Sequence, residues 1–239
     1  MVLSKRLQAL TDMVTPGLRI VDVGCDHGFL SIYLVSQGIC PGVFAMDVNQ
    51  GPLERARQHV AEYGLEEYID IRLSDGLEAL QPGEAQGMVC AGMGGRLMQR
   101  ILTRGREQVA VMEELVLQPQ SELSAFRCFL RENGYGIIEE KMIWEEGKYY
   151  PMMRAVPGLA ARAAADARQQ RIEDKFGRYL LENRDPVLIR FLQNTLRTYS
   201  DILEKIRTNR GACPEEEGIL LEIGDVQAAL SLMEADRQE

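Results

Sequence analysis

The first two thirds of the chain alternate between two hydrophobic periods. Residues 2–14 place Leu3, Leu7, Leu10 and Val14 on one face, which predicts an amphipathic helix closed by Thr15-Pro16-Gly17. Short runs of consecutive apolar residues then recur at 18–23, 42–47, 68–73, 87–92 and 114–119. Such runs suit strands buried on both faces. Helical patterns at 29–37, 52–63, 96–104 and 121–133 separate them. Gly38 stops the first of these. Pro52 and Gly64 bracket the second, and Ser121 and Asn133-Gly134 the last. Residues 136–144 and 149–156 read as a closing antiparallel pair. Strands alternating with helices imply a parallel sheet built by right-handed crossovers. The expected fold is therefore α/β, a doubly wound Rossmann-like sheet of seven strands.

The period changes after Pro157-Gly158, so the domains are expected at 1–158 and 159–239. Residues 160–182 read as one helix carrying Arg162, Arg168, Arg171, Lys175 and Arg178. Leu188, Leu192, Thr195, Tyr199, Ile202 and Ile206 then form a heptad seam, broken by Gly211 and Pro214. A second seam runs through Ile219, Ile223, Val226, Leu230 and Met233. Two such helices joined by a short turn predict an antiparallel coiled-coil hairpin. It serves either packing and dimerisation or substrate docking, so monomer and homodimer both remain open.

Charge sharpens this division. The chain has 239 residues and a formal net charge of −9. Residues 1–158 carry −6, residues 159–210 carry +4 and residues 211–239 carry −7. The sum argues against nucleic-acid binding by the molecule as a whole. The basic segment leaves it open locally. Five scattered cysteines with no CxxC pair predict neither a disulfide framework nor a zinc site. With only His27 and His59 as imidazoles, no metal site is expected. The absence of a long apolar run or a signal-like N-terminus leads to the expectation of a soluble, cytoplasmic protein.

Candidate chemistry centres on VDVGCDHGFL, residues 21–30, where strand passes into helix. Gly24 and Gly28 fit a nucleotide-binding loop, but Asp26 stands where such loops carry a third glycine. That glycine lets backbone approach a pyrophosphate. A carboxylate there would oppose two phosphate charges. S-adenosylmethionine has no phosphate and carries an ammonium and a sulfonium, so the loop favours the methyl donor over NAD. The competing reading is that Asp26 only caps the following helix. Asp47 closes the second strand, 25 residues after Asp22, at the position that hydrogen-bonds a ribose diol.

Two further loops follow strands. Asp75, before Gly76, is placed to accept a hydrogen bond from an adenine amino group, unless it is only a turn residue. AGMGG, residues 91–95, could bring bare backbone to a ligand around Met93, or merely turn tightly. Arg96, Arg100 and Arg104 recur every four residues behind it, with Arg106 next. This stripe, with Lys5 and Arg6, is the candidate phosphate-binding surface.

The blocks SKRL (4–7), DVGCDHGFL (22–30), NQGP (49–52), DGL (75–77), AGMGG (91–95), LQP (117–119) and EEGKYY (145–150) occur in one order over nearly the whole chain. In this the chain resembles the bacterial tRNA (adenine-22-N1)-methyltransferases, which join a class I methyltransferase domain to a C-terminal coiled coil. The resemblance implies a tRNA substrate and S-adenosyl-L-methionine as donor. It implies Asp26 as the residue acting at the target adenine. Asp22, Gly24, Gly28, Asp47, Asp75, Gly76 and Gly92 would form the donor site, and His27, Met93 and Gly94 would lie beside the base. Ser31 stands where the family often has proline, and Pro151 where an acidic residue commonly follows Lys148 and Tyr150. The rival readings are a small-molecule methyltransferase, an NAD oxidoreductase and a non-enzymatic coiled-coil scaffold.

Overall fold

A computed structural model describes residues 1–210 and 214–235. The chain divides into two compact units, Met1–Arg162 and Ala163–Glu239.

The first unit opens with α1 (Lys5–Asp12), capped by the Ser4 hydroxyl, which accepts from the Leu7 amide at 3.2 Å. Then follow β1 (Ile20–Val23), α2 (Phe29–Ser36), β2 (Val43–Asp47), α3 (Gln50–Glu62), β3 (Ile69–Leu73) and β4 (Gly87–Met93). After these come α4 (Gly95–Arg104), a single turn α5 (Arg106–Val109), β5 (Glu114–Pro119), α6 (Leu123–Glu132), β6 (Tyr135–Glu145) and β7 (Lys148–Pro157). All seven expected strands are present. They form one sheet in the order β3-β2-β1-β4-β5-β7-β6. The first five are parallel, and β7 runs antiparallel to β5 and to β6. The sequence pattern predicted the α4 helix but not α5, which follows it after Gly105.

Alternate residues of the central strands feed two cores. Val21, Val23, Met88, Cys90, Leu115 and Leu117 pack with Met98, Leu102, Phe126 and Leu130 on one face. Ile20, Val89, Val116 and Met152 pack with Leu10, Met13, Leu30 and Leu34 on the other. The apolar strands thus have a physical cause: both faces are covered. The order reverses at β1, whose neighbours are β2 and β4, and this opens a crevice at the strands' C-terminal ends.

The second unit holds α7 (Ala167–Phe176), α8 (Arg178–Glu182), α9 (Pro186–Arg210) and α10 (Pro214–Ala235). The single helix expected over 160–182 is instead two. Gly177, at φ 94°, breaks it, and the helical part starts only after the Asp166 cap. Helix α10 packs against α7, α8 and α9. Leu188, Leu192, Val226 and Met233 are buried, with Ala229 in place of the expected Leu230. Farther along α9, Ile202 stays 37 % exposed, because a helix pair alone covers only a narrow stripe. Gly211 and Cys213 lie outside the described residues.

The acidic end of the sequence meets its basic stretch here. Arg171 Nη2 lies 2.6 Å from Asp225 Oδ1, and Lys175 Nζ lies 2.9 Å from Glu222 and 3.0 Å from Asp225. Arg178 pairs with Glu182 at 3.3 Å. Arg171 and Lys175, part of the positive face expected for docking, are therefore spent on holding α7 to α10, while Arg178 pairs within α8.

In the first unit, Arg127 of α6 and Glu140 of β6 form a buried pair at 2.8 Å. Arg127→Leu should destabilise the protein by about 3–5 kcal/mol in urea unfolding, since it leaves Glu140 charged and buried. Adding Glu140→Leu should recover most of that loss; a double variant no better than the single would contradict this account.

Candidate active site

A cavity of about 390 Å³ sits at the crevice. It is lined by Asp22, Gly24, Cys25, Asp26, His27, Phe29 and Leu30 from β1 and the turn into α2. Asp47, Ala91, Gly92, Met93, Gln120, Arg6 and Leu7 complete it. Of the expected donor residues, Asp22, Gly24, Asp47 and Gly92 line this space. So do Asp26, His27, Met93 and Arg6.

The backbone explains the loop. Gly24 adopts φ 77° and lies against the Met93 methyl, where a side chain would collide. Asp26 also adopts a left-handed φ, 49°. Aspartate tolerates this region better than most residues, yet at some cost relative to glycine. The cap of α2 is Gly28, and no side chain bonds there, so Asp26 does not act as the helix cap. Its side chain is 67 % exposed, 3.5 Å from His27 Nε2.

Asp22 is buried, and its Oδ2 accepts from the Ser31 hydroxyl at 2.7 Å. Burial raises its pKa from 3.8 to about 6; the Ser31 bond opposes this and the nearby Asp47 charge adds to it. Asp47 Oδ1 accepts from the Asn49 amide at 2.9 Å, and its Oδ2 lies 3.4 Å from the Asp26 amide. Asp22, Asp26 and Asp47 therefore face one cavity, and among the described residues no lysine or arginine pairs with any of them. Cys25 also lines it, but burial and the neighbouring aspartates push its thiol far above the usual range, so it is not a nucleophile. Among the described residues no three His, Cys, Asp or Glu side chains cluster as a metal site.

Arg6 reaches the cavity from α1. Its Nη1 donates to Gln118 Oε1 at 3.1 Å, which also accepts from the Gly92 amide at 3.2 Å. The guanidinium lies 5.5 Å from the Tyr150 ring centroid. Glu145 of β6 fixes the start of α1 by accepting from the Lys5 amide at 2.6 Å and the Arg6 amide at 3.3 Å. Gln118, Gln120 and Glu145 were not singled out from sequence. The signal for Gln118 was a polar residue within a strand buried throughout.

The remaining expected residues lie elsewhere. Asp75 lines a neighbouring open pocket with Val48, Leu73, Ser74, Glu78 and Ala79. There it accepts from Arg104 at 3.1 Å, with Arg100 at 4.0 Å. Arg96 pairs with Glu122. The arginine stripe is thus exposed but already paired. Gly28, Gly76 and Gly94 shape turns without lining the cavity, and the Lys5 side chain does not line it either.

Fold and crevice are those of a Rossmann-like transferase, and residues 3–153 match the family described as "Methyltransferase domain". The Bacillus subtilis tRNA (adenine(22)-N(1))-methyltransferase is 32 % identical over 204 residues, covering 85 % of each chain. A crystal structure of a Streptococcus pneumoniae protein in complex with S-adenosyl-L-methionine is 30 % identical, with TM-score 0.83 over 96 % of this chain and 100 % of that one. The Bacillus subtilis m1A22 tRNA methyltransferase structure aligns at 28 % identity and TM-score 0.79, over 97 % of this chain and 99 % of that one. The chain belongs to the tRNA (adenine(22)-N(1))-methyltransferase family.

Asp22 gives a pH signature. An acid with a higher pKa folded than unfolded holds more protons when folded, so its contribution to stability falls as pH rises from about 4 to about 6. Asp22→Asn should therefore gain on the wild type by roughly 2–3 kcal/mol between pH 4 and pH 7 in urea unfolding. A difference independent of pH would contradict the burial of this charge.

Proposed function

We propose that the protein transfers a methyl group from S-adenosyl-L-methionine to N1 of the adenine at position 22 of tRNA. One observation carries the choice of donor: Asp22, Asp26 and Asp47 share the cavity and, among the described residues, none of them pairs with an arginine or lysine. A pyrophosphate would add negative charge to that set. A donor bearing an ammonium and a sulfonium supplies the missing positive charge and, at the sulfonium, an electrophilic methyl. Asp47, which lines the cavity, is assigned to the ribose hydroxyls. The exposed Val48 and Leu73, beside Asp75, offer an apolar surface with one acceptor for an adenine. The relative with bound donor supports this reading, as does family membership.

The target N1 lone pair needs no base. The chain's residues must hold it in line with the methyl, and alignment alone can supply several kcal/mol. Asp26 is assigned to the target base. Its exposed carboxylate can accept from the exocyclic amino group, orient the ring and stabilise the cation that forms. Gly92 and Met93 line the same cavity. Arg6, held by Gln118, is assigned to the substrate backbone. Arg96, Arg100 and Arg104 are assigned to tRNA phosphates; their present ion pairs are exposed, worth ~0–1 kcal/mol each, and readily exchanged. The pairing of Arg171, Lys175 and Arg178 leaves the helical unit a smaller part in docking. Oligomeric state enters none of these steps.

The test is mass spectrometry of nucleosides from unmodified tRNA incubated with protein and donor. 1-Methyladenosine, lost when adenine 22 is replaced, is the expected product; methylation of another nucleoside, or of none, would refute the proposal. Asp26→Asn keeps a residue that tolerates left-handed backbone and removes only the charge. It should lower kcat by about 10²-fold with little change in KM for tRNA. An unchanged kcat would remove Asp26 from the chemistry.

A further inference from the structure

The chain's only two histidines lie with Phe29 in one aromatic cluster beside the cavity. The rings of His27 and Phe29 are 5.9 Å apart and inclined by 15°; those of Phe29 and His59 are 4.7 Å apart and inclined by 22°. His59, on α3, is fixed by its Nδ1, 3.0 Å from the His27 carbonyl oxygen. A carbonyl only accepts, so Nδ1 carries the hydrogen. The two imidazole centroids are 6.0 Å apart. Phe29 is 38 % exposed although it begins a helix packed on the sheet. His27 and Phe29 line the cavity and His59 does not, so the cluster runs from the cavity outward.

We propose that Phe29, backed by His59, is a stacking platform for an unpaired nucleobase that flanks the target adenine in the RNA substrate. The inference rests on the tRNA-methylating reading. The chemistry selects a base rather than a phosphate, because the exposed Asp26 carboxylate beside His27 would repel an anion. Every base offers a π-face, and single-stranded RNA is held by stacking on such rings. The platform adds a contact that a free adenine nucleotide could not make, so it favours an unpaired segment of polynucleotide as substrate.

Steady-state methylation of an unmodified tRNA transcript, with calorimetry of S-adenosylhomocysteine, tests this. Phe29→Leu keeps apolar volume and removes the π-face. It should raise KM for tRNA about tenfold, equivalent to ~1.4 kcal/mol, with a smaller change in kcat. His59→Gln should raise KM about threefold. Transcripts abasic at one or the other position flanking adenine 22 provide the cycle. One of them should lose about tenfold with wild type and show no further loss with Phe29→Leu. Unchanged KM in both variants, or abasic losses that simply add to that of Phe29→Leu at both positions, would overturn the platform. Should Phe29→Leu fail to bind donor, His59→Gln with the abasic transcripts decides by the same criterion. If wild type methylates no tRNA, the methyltransferase proposal itself fails and the platform with it, an outcome distinct from the others.

Discussion

Concentrated negative charge at one end of the sheet is the constraint around which the catalytic unit is organised. Asp22, Asp26 and Asp47 converge where β1 and β2 end, and among the described residues no lysine or arginine pairs with any of them, although Arg6 lines the same cavity. Each is tolerated for a different local reason. Asp22 is buried, raised in pKa and bonded to Ser31. Asp47 accepts from the Asn49 backbone amide of its own turn. Asp26 remains in solvent, on backbone bent into a left-handed turn. The arrangement is least unfavourable when a cation enters, and the proposed donor follows from that.

Another part of the cavity is built by different means. Gly92 and Arg6 share the single side-chain carbonyl oxygen of buried Gln118, so a residue of α1 and the C-terminal end of β4 are held in fixed relation. Glu145 anchors the same helix from the hairpin. The β6–β7 pair is thus more than a closure of the sheet, because it positions Arg6, which reaches the cavity. Electrostatics also accounts for how a chain of net charge −9 can address RNA. Its acidic groups are partly consumed internally, against Arg171 and Lys175, while Arg96, Arg100 and Arg104 stay exposed in weak pairs.

The doubly wound sheet was legible because its strands are apolar on both faces, and that pattern survives without knowledge of tertiary contacts. The loop carboxylates were legible from spacing alone, since strand ends and glycines mark the crevice. The break at Gly177 was not, because the apolar spacing of Ile172, Phe176 and Leu180 runs across it unchanged. The partners of the arginines were equally hidden. Periodicity places Arg104 on a helix face but cannot say that Asp75, twenty-nine residues earlier, lies 3.1 Å away. Gln118 and Glu145 escaped for the same reason: their importance lies in bonds across distant segments. The aromatic cluster joins residues thirty-two apart.

The central claim is that the loop carboxylate selects a cationic ligand, and calorimetry at neutral pH tests it most directly. S-adenosylmethionine and NAD would each be titrated into the wild type and into Asp26→Gly, which relaxes the backbone and removes the charge. The account predicts that wild type binds the methyl donor and not NAD, and that Asp26→Gly loses donor affinity without losing thermal stability. NAD binding to the wild type as tightly as the methyl donor would contradict it.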